Sequence, residues 1–333
     1  MTMVTVGRFL PQRATPDDLA AWCAVFSDGH GELSGSSVQP SVLAERLLVE
    51  DSSAMRWAAR SGLASSRVAG VAELRPQLHM PGAGFLRLFV APSARRGGIG
   101  SALLSSVMQS AAAAGMERVQ ATVLAGPPGE PFARTLPNLR VALRLELQEQ
   151  RLDQELVLRR CRELAADPLP GYRLAHWNGA APEPLVASFG RAMGHVLDAP
   201  GAALQMAPRA WNTAAVRAWE AKMTAGSAWL MVCAAVHLAS GQAVAATVAT
   251  VPQSGGPVAD QHDTVVVPEH RHRGLARGVK AAQALRIHER FPGVRAATST
   301  VSQENLQMKA VNRAVGYHLI HERLLVEAPL ASC

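Results

Sequence analysis

The chain has 333 residues, of which 48% are hydrophobic, and a formal charge of +7; this suits two ordinary domains with their own cores and is short for three. No apolar run approaches the ~20 residues of a membrane span, and Met1 to Arg13 carries no signal-peptide pattern. Cys23, Cys161, Cys233 and Cys333 form no C-x-x-C pair, which argues against a zinc site or disulfide framework and for reduced thiols in the cytoplasm. Lysine occurs only at Lys222, Lys280 and Lys309, so the cation excess is arginine, spread without a long basic block and with few aromatics. That pattern argues against nucleic acid and is compatible with a polyanionic cofactor.

In chain order, Val4 to Leu10 reads as a strand. Thr15-Pro16-Asp17-Asp18 reads as a helix start, with a cap, proline at the first position and acids in the first turn. Arg56 to Leu63 and Val68 to Leu74 read as a hairpin around Ala64-Ser65-Ser66-Arg67. The strand-like Phe85 to Val90 and the helical Ser101 to Ala114 follow, then a strand from Val119 to Leu124. Val141, Leu143, Leu145 and Leu147 alternate with polar residues as a half-exposed strand would, although a helix would also accommodate some of them. A helix over Asp153 to Ala166 ends at the breaker Asp167-Pro168-Leu169-Pro170, where the domain boundary is placed: one domain over 1–160, the next over 170–333. The second half opens with Gly171 to Leu174 and continues with helices over Glu183 to Val196 and Thr213 to Ala225. A hairpin of Trp229 to Leu238 and Ala243 to Val251 turns at Ala239-Ser240-Gly241-Gln242. A strand over Thr264 to Val267, a helix over Arg277 to Glu289, a strand over Val294 to Thr300, a short helix over Asn305 to Ala314 and a strand from Tyr317 complete it.

A repeat organises these elements. Val90-Ala91-Pro92-Ser93-Ala94-Arg95-Arg96-Gly97-Gly98-Ile99-Gly100 recurs 176 residues later as Val266-Val267-Pro268-Glu269-His270-Arg271-His272-Arg273-Gly274-Leu275-Ala276. Each copy lies between a strand and a helix. The first amides of a helix lack intrahelical partners and, with the helix dipole, form an anion site. Gly97, Gly98 and Gly100 permit close backbone approach, and Arg95, Arg96, Arg271 and Arg273 add positive charge. The chemistry suits a diphosphate. Neither a P-loop nor a dinucleotide G-x-G-x-x-G fingerprint is present.

Arg95-x-x-Gly98-x-Gly100 and Arg271-x-x-Gly274-x-Ala276, each after V-x-P, resemble motif A of the GNAT N-acetyltransferases. Asn305-Leu306-Gln307-Met308-Lys309-Ala310-Val311-Asn312-Arg313-Ala314-Val315-Gly316-Tyr317 resembles motif B. The resemblance covers nearly the whole chain and is strongest from Asp263 to Tyr317. It is similar in arrangement to mycothiol synthase and to actinobacterial tandem GNAT proteins. It implies an α/β (α+β) architecture of two GNAT folds in tandem, each a mixed, mostly antiparallel sheet flanked by helices with a splayed strand pair. It implies acetyl-CoA as acyl donor. Its diphosphate would sit on Arg95, Arg96, Gly97, Gly98, Ile99, Gly100 and Ser101, and on Arg271, His272, Arg273, Gly274, Leu275, Ala276 and Arg277, with Asn305 and Asn312 nearby. Its pantetheine arm would pair with Phe89 and Val90, and with Val265, Val266 and Val267.

Acetyl transfer to an amine needs a base, donors for the developing oxyanion and protonation of the leaving thiolate. By resemblance the base belongs on the strand before motif A, where Asp263 and His262 stand; Glu304 beside motif B is a third candidate. The 176-residue offset places Arg87 opposite Asp263, and arginine is no base at neutral pH. Many relatives carry a tyrosine acid where this chain has Asn312, which cannot deliver a proton; Tyr317 is the alternative acid. In the first half, Gly129 to Asn138 is a degenerate motif B. The second half is therefore expected to catalyse, and the first to bind acetyl-CoA without catalysis or to be vestigial. The expected reaction is direct N-acetylation of a small-molecule primary amine. A protein amine as acceptor and a non-catalytic acyl-CoA sensor or scaffold stay open, as do a monomer and a homodimer.

Overall fold

The computed structural model describes residues 4–35, 38–49, 53–61, 67–77, 80–204, 210–225, 228–253 and 255–330. The chain divides into two compact units, Met1–Arg144 with Arg323–Cys333, and Leu145–Glu322.

The first unit contains β1 (Val4–Arg8), α1 (Pro16–Ser34), α2 (Pro40–Val49), β2 (Met55–Ser61), β3 (Val68–Pro76), β4 (Ala83–Val90), α3 (Ile99–Ala113), β5 (Arg118–Leu124), the short α4 (Gly129–Ala133) and the start of β6 (Arg140–Arg151). Its strands run in the order β1-β2-β3-β4-β5, and β5 then pairs with Arg323 to Pro329 of the last strand. All described pairings are antiparallel except β4 with β5. Alternation in β2 sets the layers: Trp57 and Ala59 pack with α3, while Ala58 packs with α1 and α2. Helix α1 starts where the sequence predicts, the Thr15 hydroxyl accepting from the Asp18 amide. It buries Leu19, Trp22, Cys23 and Phe26, at helical spacing, with Phe9, Trp22 and Phe26 stacked. Helix α3 buries Ile99, Leu103, Leu104, Val107 and Ala111 in the same way. The β2–β3 hairpin is as predicted; most of its turn, 62–66, lies outside the described residues.

The second unit contains α5 (Glu155–Ala166), β7 (Tyr172–Asn178), α6 (Glu183–Gly194), α7 (Thr213–Thr224), β8 (Ala228–His237), β9 (Ala243–Pro252), β10 (Val258–Val266), α8 (Leu275–Arg290), β11 (Ala296–Ser302), α9 (Leu306–Ala314) and the start of β12 (Tyr317–Pro329). Its order is β7-β8-β9-β10-β11, and β11 then pairs antiparallel with Leu145 to Arg151 of β6. Only β10 with β11 is parallel among its described pairings. Helices α6 and α7 bury Phe189, Met193, Val216 and Trp219 against Leu230, Val232, Ala234 and Val236 of β8. Met231, Cys233 and Ala235, pointing the other way, meet α5 or α8.

Three sequence readings change. The division falls inside β6, at Leu145, rather than near Pro168. Helix α5, ahead of that breaker, buries Val157, Leu158 and Cys161 and packs on α8, so it belongs to the second unit. The stretch from Arg140 is a strand whose polar face is exposed at Arg140 and Arg144, as predicted, but not from Glu146 onward. Glu146, Gln148 and Gln150 are buried, since Gln148 donates to Glu146 at 2.7 Å and Gln150 to the Val315 carbonyl. The strand before the second glycine loop begins at Val258, six residues ahead of Thr264.

Candidate functional site

In the second unit β10 and β11 pair only from Val258–Ala296 to Gln261–Ser299 and then part, while β10 continues along β9 to Val266. The parting strands leave the backbone edge of Thr264 to Val266 without a β11 partner. The register of β10 on β9 shifts between Gln261 and Thr264, a bulge that holds His262 and Asp263 at the apex of the split. The first unit has the same parting: β4 and β5 pair only from Ala83–Arg118 to Leu86–Ala121. Its β3–β4 register runs unbroken through Glu73–Arg87. The offset between the units is therefore 175 ahead of the bulge (Leu86 against Gln261) and 176 beyond it.

After β10, a turn of 3-10 helix over Pro268–His270 leads to the glycine loop. His272 has φ 63° and Gly274 has φ 79°; Arg96 and Gly98 repeat this with 66° and 81°. Alternating left-handed residues turn successive amides to one side, the geometry of an anion nest. Among the described residues, Arg271 N donates to Pro268 O, and the next backbone amide that donates to a carbonyl is Gly278, to Gly274. The amides of His272 to Arg277 thus face a ligand or water. In the first unit Arg95 and Ala102 bracket the same gap. At Gly274 a side chain would meet nothing nearer than 3.7 Å, so the left-handed backbone, not crowding, is what calls for glycine.

These elements enclose a cavity of about 540 Å³. Its wall includes His262, Asp263, Val265, Val266, Arg271, His272, Gly274, Leu275, Ala276, Arg277 and Asn305. Opposite them are Ser299 to Ser302 of β11, Met308 and Val311 of α9, and His195, Asp198 and Ala202. The wall also contains Lys280, which sequence reasoning did not single out; its signal is a lysine in the second turn of the helix that follows the glycine loop.

His262 opens onto the cavity and its Nε2 lies 2.7 Å from Thr250 Oγ1. His262 is exposed on the cavity side, and the protein atoms packed around the ring desolvate it and pull its pKa below the usual imidazole value, although Asp260 and Asp263 act the other way. It is a neutral imidazole at pH 7, able to take a proton. Asp263 lies half-buried beside it.

Other predicted residues are placed differently. Arg271 does not point into the nest: its Nε donates to the Val266 carbonyl at 3.1 Å and its Nη2 meets Asp198 at 2.6 Å. Arg95 does likewise, with Val90 O at 3.1 Å and Glu32 at 2.7 Å. Each brackets the end of the strand and ties the loop to an acid on a preceding helical segment. Arg273 turns back to the Glu269 carbonyl at 3.5 Å. Asn305 caps α9, accepting from Met308 N at 3.0 Å. Glu304 is exposed, and neither it, Val267 nor Arg273 lies in the described cavity wall. Asn312 is fully buried outside that wall and its Nδ2 donates to Gln148 at 2.8 Å. Gln148 leads on to Glu146, which pairs with Lys309. Tyr317 is buried, and desolvation raises its hydroxyl pKa far above the usual phenol value. Asn312 and Tyr317 therefore stand in the core, the first held by the buried Gln148 of β6 and the second packed among Leu152, Val157 and Cys161.

In the first unit a cavity of about 490 Å³ touches Ala91, Ser93, Ala94, Arg95, Gly97 and Ile99 and is closed by α1 and the start of β3. Phe89, Val90, Arg96, Gly98, Gly100 and Ser101 are not in its wall. The Phe89 ring packs edge-on to Phe26 and against Gly29, where a Cβ would lie 2.4 Å from it. Arg87 reaches the buried Glu73 at 3.2 Å, which Arg56 and Arg75 also hold at 2.8 Å. Where the second unit has Asp263 beside its bulge, the first has an ion-pair cluster. Cys23, Cys161 and Cys233 are buried free thiols, Cys333 lies outside the described residues, and no described helix is long and apolar enough to cross a membrane.

The acetyltransferase (GNAT) family matches residues 19–132. No curated relative matches the sequence. Among solved structures, a tandem GNAT protein from the clavulanic acid biosynthesis pathway is similar at TM-score 0.75 and 21% identity, over 99% of this chain and 99% of that one. A GCN5-related N-acetyltransferase from Sphaerobacter thermophilus gives 0.65 and 15%, over 98% and 96%. A GNAT-family acetyltransferase from Colwellia psychrerythraea gives 0.55 and 12%, over 98% and 100%.

Proposed function

We propose that this chain is a tandem GNAT protein whose second unit transfers an acetyl group from acetyl-CoA directly to a primary amine of a small molecule; the GNAT family match over residues 19–132 and the fold shared with a tandem GNAT protein support this. The observation that carries the reading is the joining of three features in one cavity: the amides of His272 to Arg277, the open edge of Thr264 to Val266, and neutral His262. The amides fit a diphosphate, and the strand edge fits the amide groups of a pantetheine arm. That arm would bring the thioester to the apex, where His262 stands. There His262 takes a proton from the attacking amine, and backbone donors at the bulge oppose the developing oxyanion. Asp263 in the cavity wall favours a cationic acceptor entering from that side. Holding both substrates in one cavity supplies much of the rate through positioning. The first unit, with Arg87 locked on Glu73, supports or binds rather than catalyses.

The test is thiol release from acetyl-CoA across an amine library, for wild type, Asp263→Ala and Gly274→Glu. Release with an amine, lost in Gly274→Glu, is expected. Turnover surviving Gly274→Glu removes the second unit as the catalyst, and tight CoA binding without turnover on any amine makes the chain an acyl-CoA sensor.

A further inference from the structure

Direct transfer breaks the C–S bond with its electron pair left on sulfur, so a proton must reach the departing thiolate. The residues that the family pattern offers stand elsewhere: Asn312 is committed to Gln148, and Tyr317 has its hydroxyl in the core. Lys280 is different. It lies in the second turn of α8, is only 2% exposed, and still forms part of the cavity wall. Among the described residues it has no carboxylate partner; its Nζ lies 4.9 Å from the centre of the Tyr317 ring. Lys309 on α9 is by contrast paired with Glu146. At the equivalent position of α3, in the unit whose base site holds Arg87, stands the apolar Leu104. A buried cation without a counter-charge is costly, and here it borders a cavity where negative charge would develop.

We propose that Lys280 is the proton donor to the leaving thiolate in the second unit, a role that rests on the transfer reaction proposed above. One proton passes from Nζ to sulfur as the C–S bond breaks. The proton that His262 takes from the amine returns through solvent to Nζ, so the net change is amine plus thioester to amide plus thiol. Burial brings the Lys280 pKa down to about 7, near the ~8.5 of an ordinary thiol, which matches donor to acceptor. The Tyr317 ring face stabilises the charged form. The cavity wall that Lys280 shares also carries His262, Asp263 and Arg277, but burial is the one cause of its pKa shift; Tyr317 and Cys161 stand on the core side. Burial raises the pKa of both core-side groups, so they are neutral.

The experiment compares the full chain with Lys280→Leu and Lys280→Met, whose apolar side chains suit the site. Two quantities are read: kcat and KM for acetyl-CoA with an accepted amine, and the ionisation of bound CoA's thiol by thiolate absorbance. The expected result is a kcat lower by about 10²-fold or more, an unchanged KM, and a bound thiol that ionises at higher pH than in wild type. Unchanged kcat with unchanged thiol ionisation overturns the assignment. A chain that holds CoA with Lys280-dependent thiol ionisation, but turns over no amine, overturns the transferase reading and leaves the lysine–sulfur pairing supported. A chain that does not hold CoA overturns both.

Discussion

Replacing Lys280 with leucine should make the protein more stable, and more so at neutral than at alkaline pH. The residue is 2% exposed, and burial moves its pKa from 10.5 to about 7. At about 1.4 kcal/mol per pH unit, this is roughly 5 kcal/mol of discrimination against the charged form, a ceiling that water entering the cavity reduces. The folded pKa is the lower one, so between pH 7 and 10.5 the unfolded chain binds more protons. Wild-type stability therefore gains from this residue as pH rises through that window. Leucine carries no such penalty. The expected gain at pH 7 is about 2–5 kcal/mol, or roughly 5–15 °C in Tm for a unit of this size. At pH 9.5 only about 1 kcal/mol of the penalty remains. Urea unfolding of both proteins at the two pH values, followed by circular dichroism, gives the difference directly, because other titrating groups cancel. A variant that is less stable, or whose advantage is the same at both pH values, would refute the picture of a buried, uncompensated cation.

His262→Gln should lower kcat/KM by about 10²-fold. The wild-type profile should stay flat to a lower pH than an ordinary histidine permits, falling only as pH drops through its depressed pKa; a limb above the usual imidazole value would contradict this. At Glu73, burial alone would raise the carboxyl pKa, but Arg75, Arg56 and Arg87 outweigh it and hold the group below 4.5. Its stabilising contribution is present above 4.5 and is lost as pH falls through the lower folded value. Glu73→Gln should cost about 3–5 kcal/mol at pH 7 in urea unfolding, since it leaves three arginines without their shared partner. Asp198→Asn should change stability by less than about 1 kcal/mol, because its pair with Arg271 is partly exposed. It should raise KM for acetyl-CoA in steady-state kinetics by loosening the arginine that brackets Val266.

The sequence displays what is local. The glycine loops, the Thr15 cap and the two hairpins are encoded within a few residues, and the structure has them in place. What depends on distant partners is not displayed. Arg271 and Arg95 look like phosphate ligands until Asp198 and Glu32, 73 and 63 residues away, are brought beside them. Alternation marks β6 as a strand but does not name its neighbours; it pairs with β11, and α9 lies over Glu146 and Gln148 through Lys309 and Asn312. A bulge adds one residue to β10 without any glycine or proline to announce it. Lys280 appears in sequence as one of three lysines, and only the fold shows that it lies buried in a cavity wall.

The central claim is that the amides of His272 to Arg277 hold the diphosphate of CoA. Native mass spectrometry of the full chain with acetyl-CoA, for wild type, Gly98→Glu and Gly274→Glu, tests it most directly. A glutamate at residue 274 places a carboxylate in the nest, where it competes for the amides and repels the diphosphate. Gly274→Glu should lose one bound CoA per chain relative to wild type, whatever Gly98→Glu does; an unchanged count in Gly274→Glu would contradict the account.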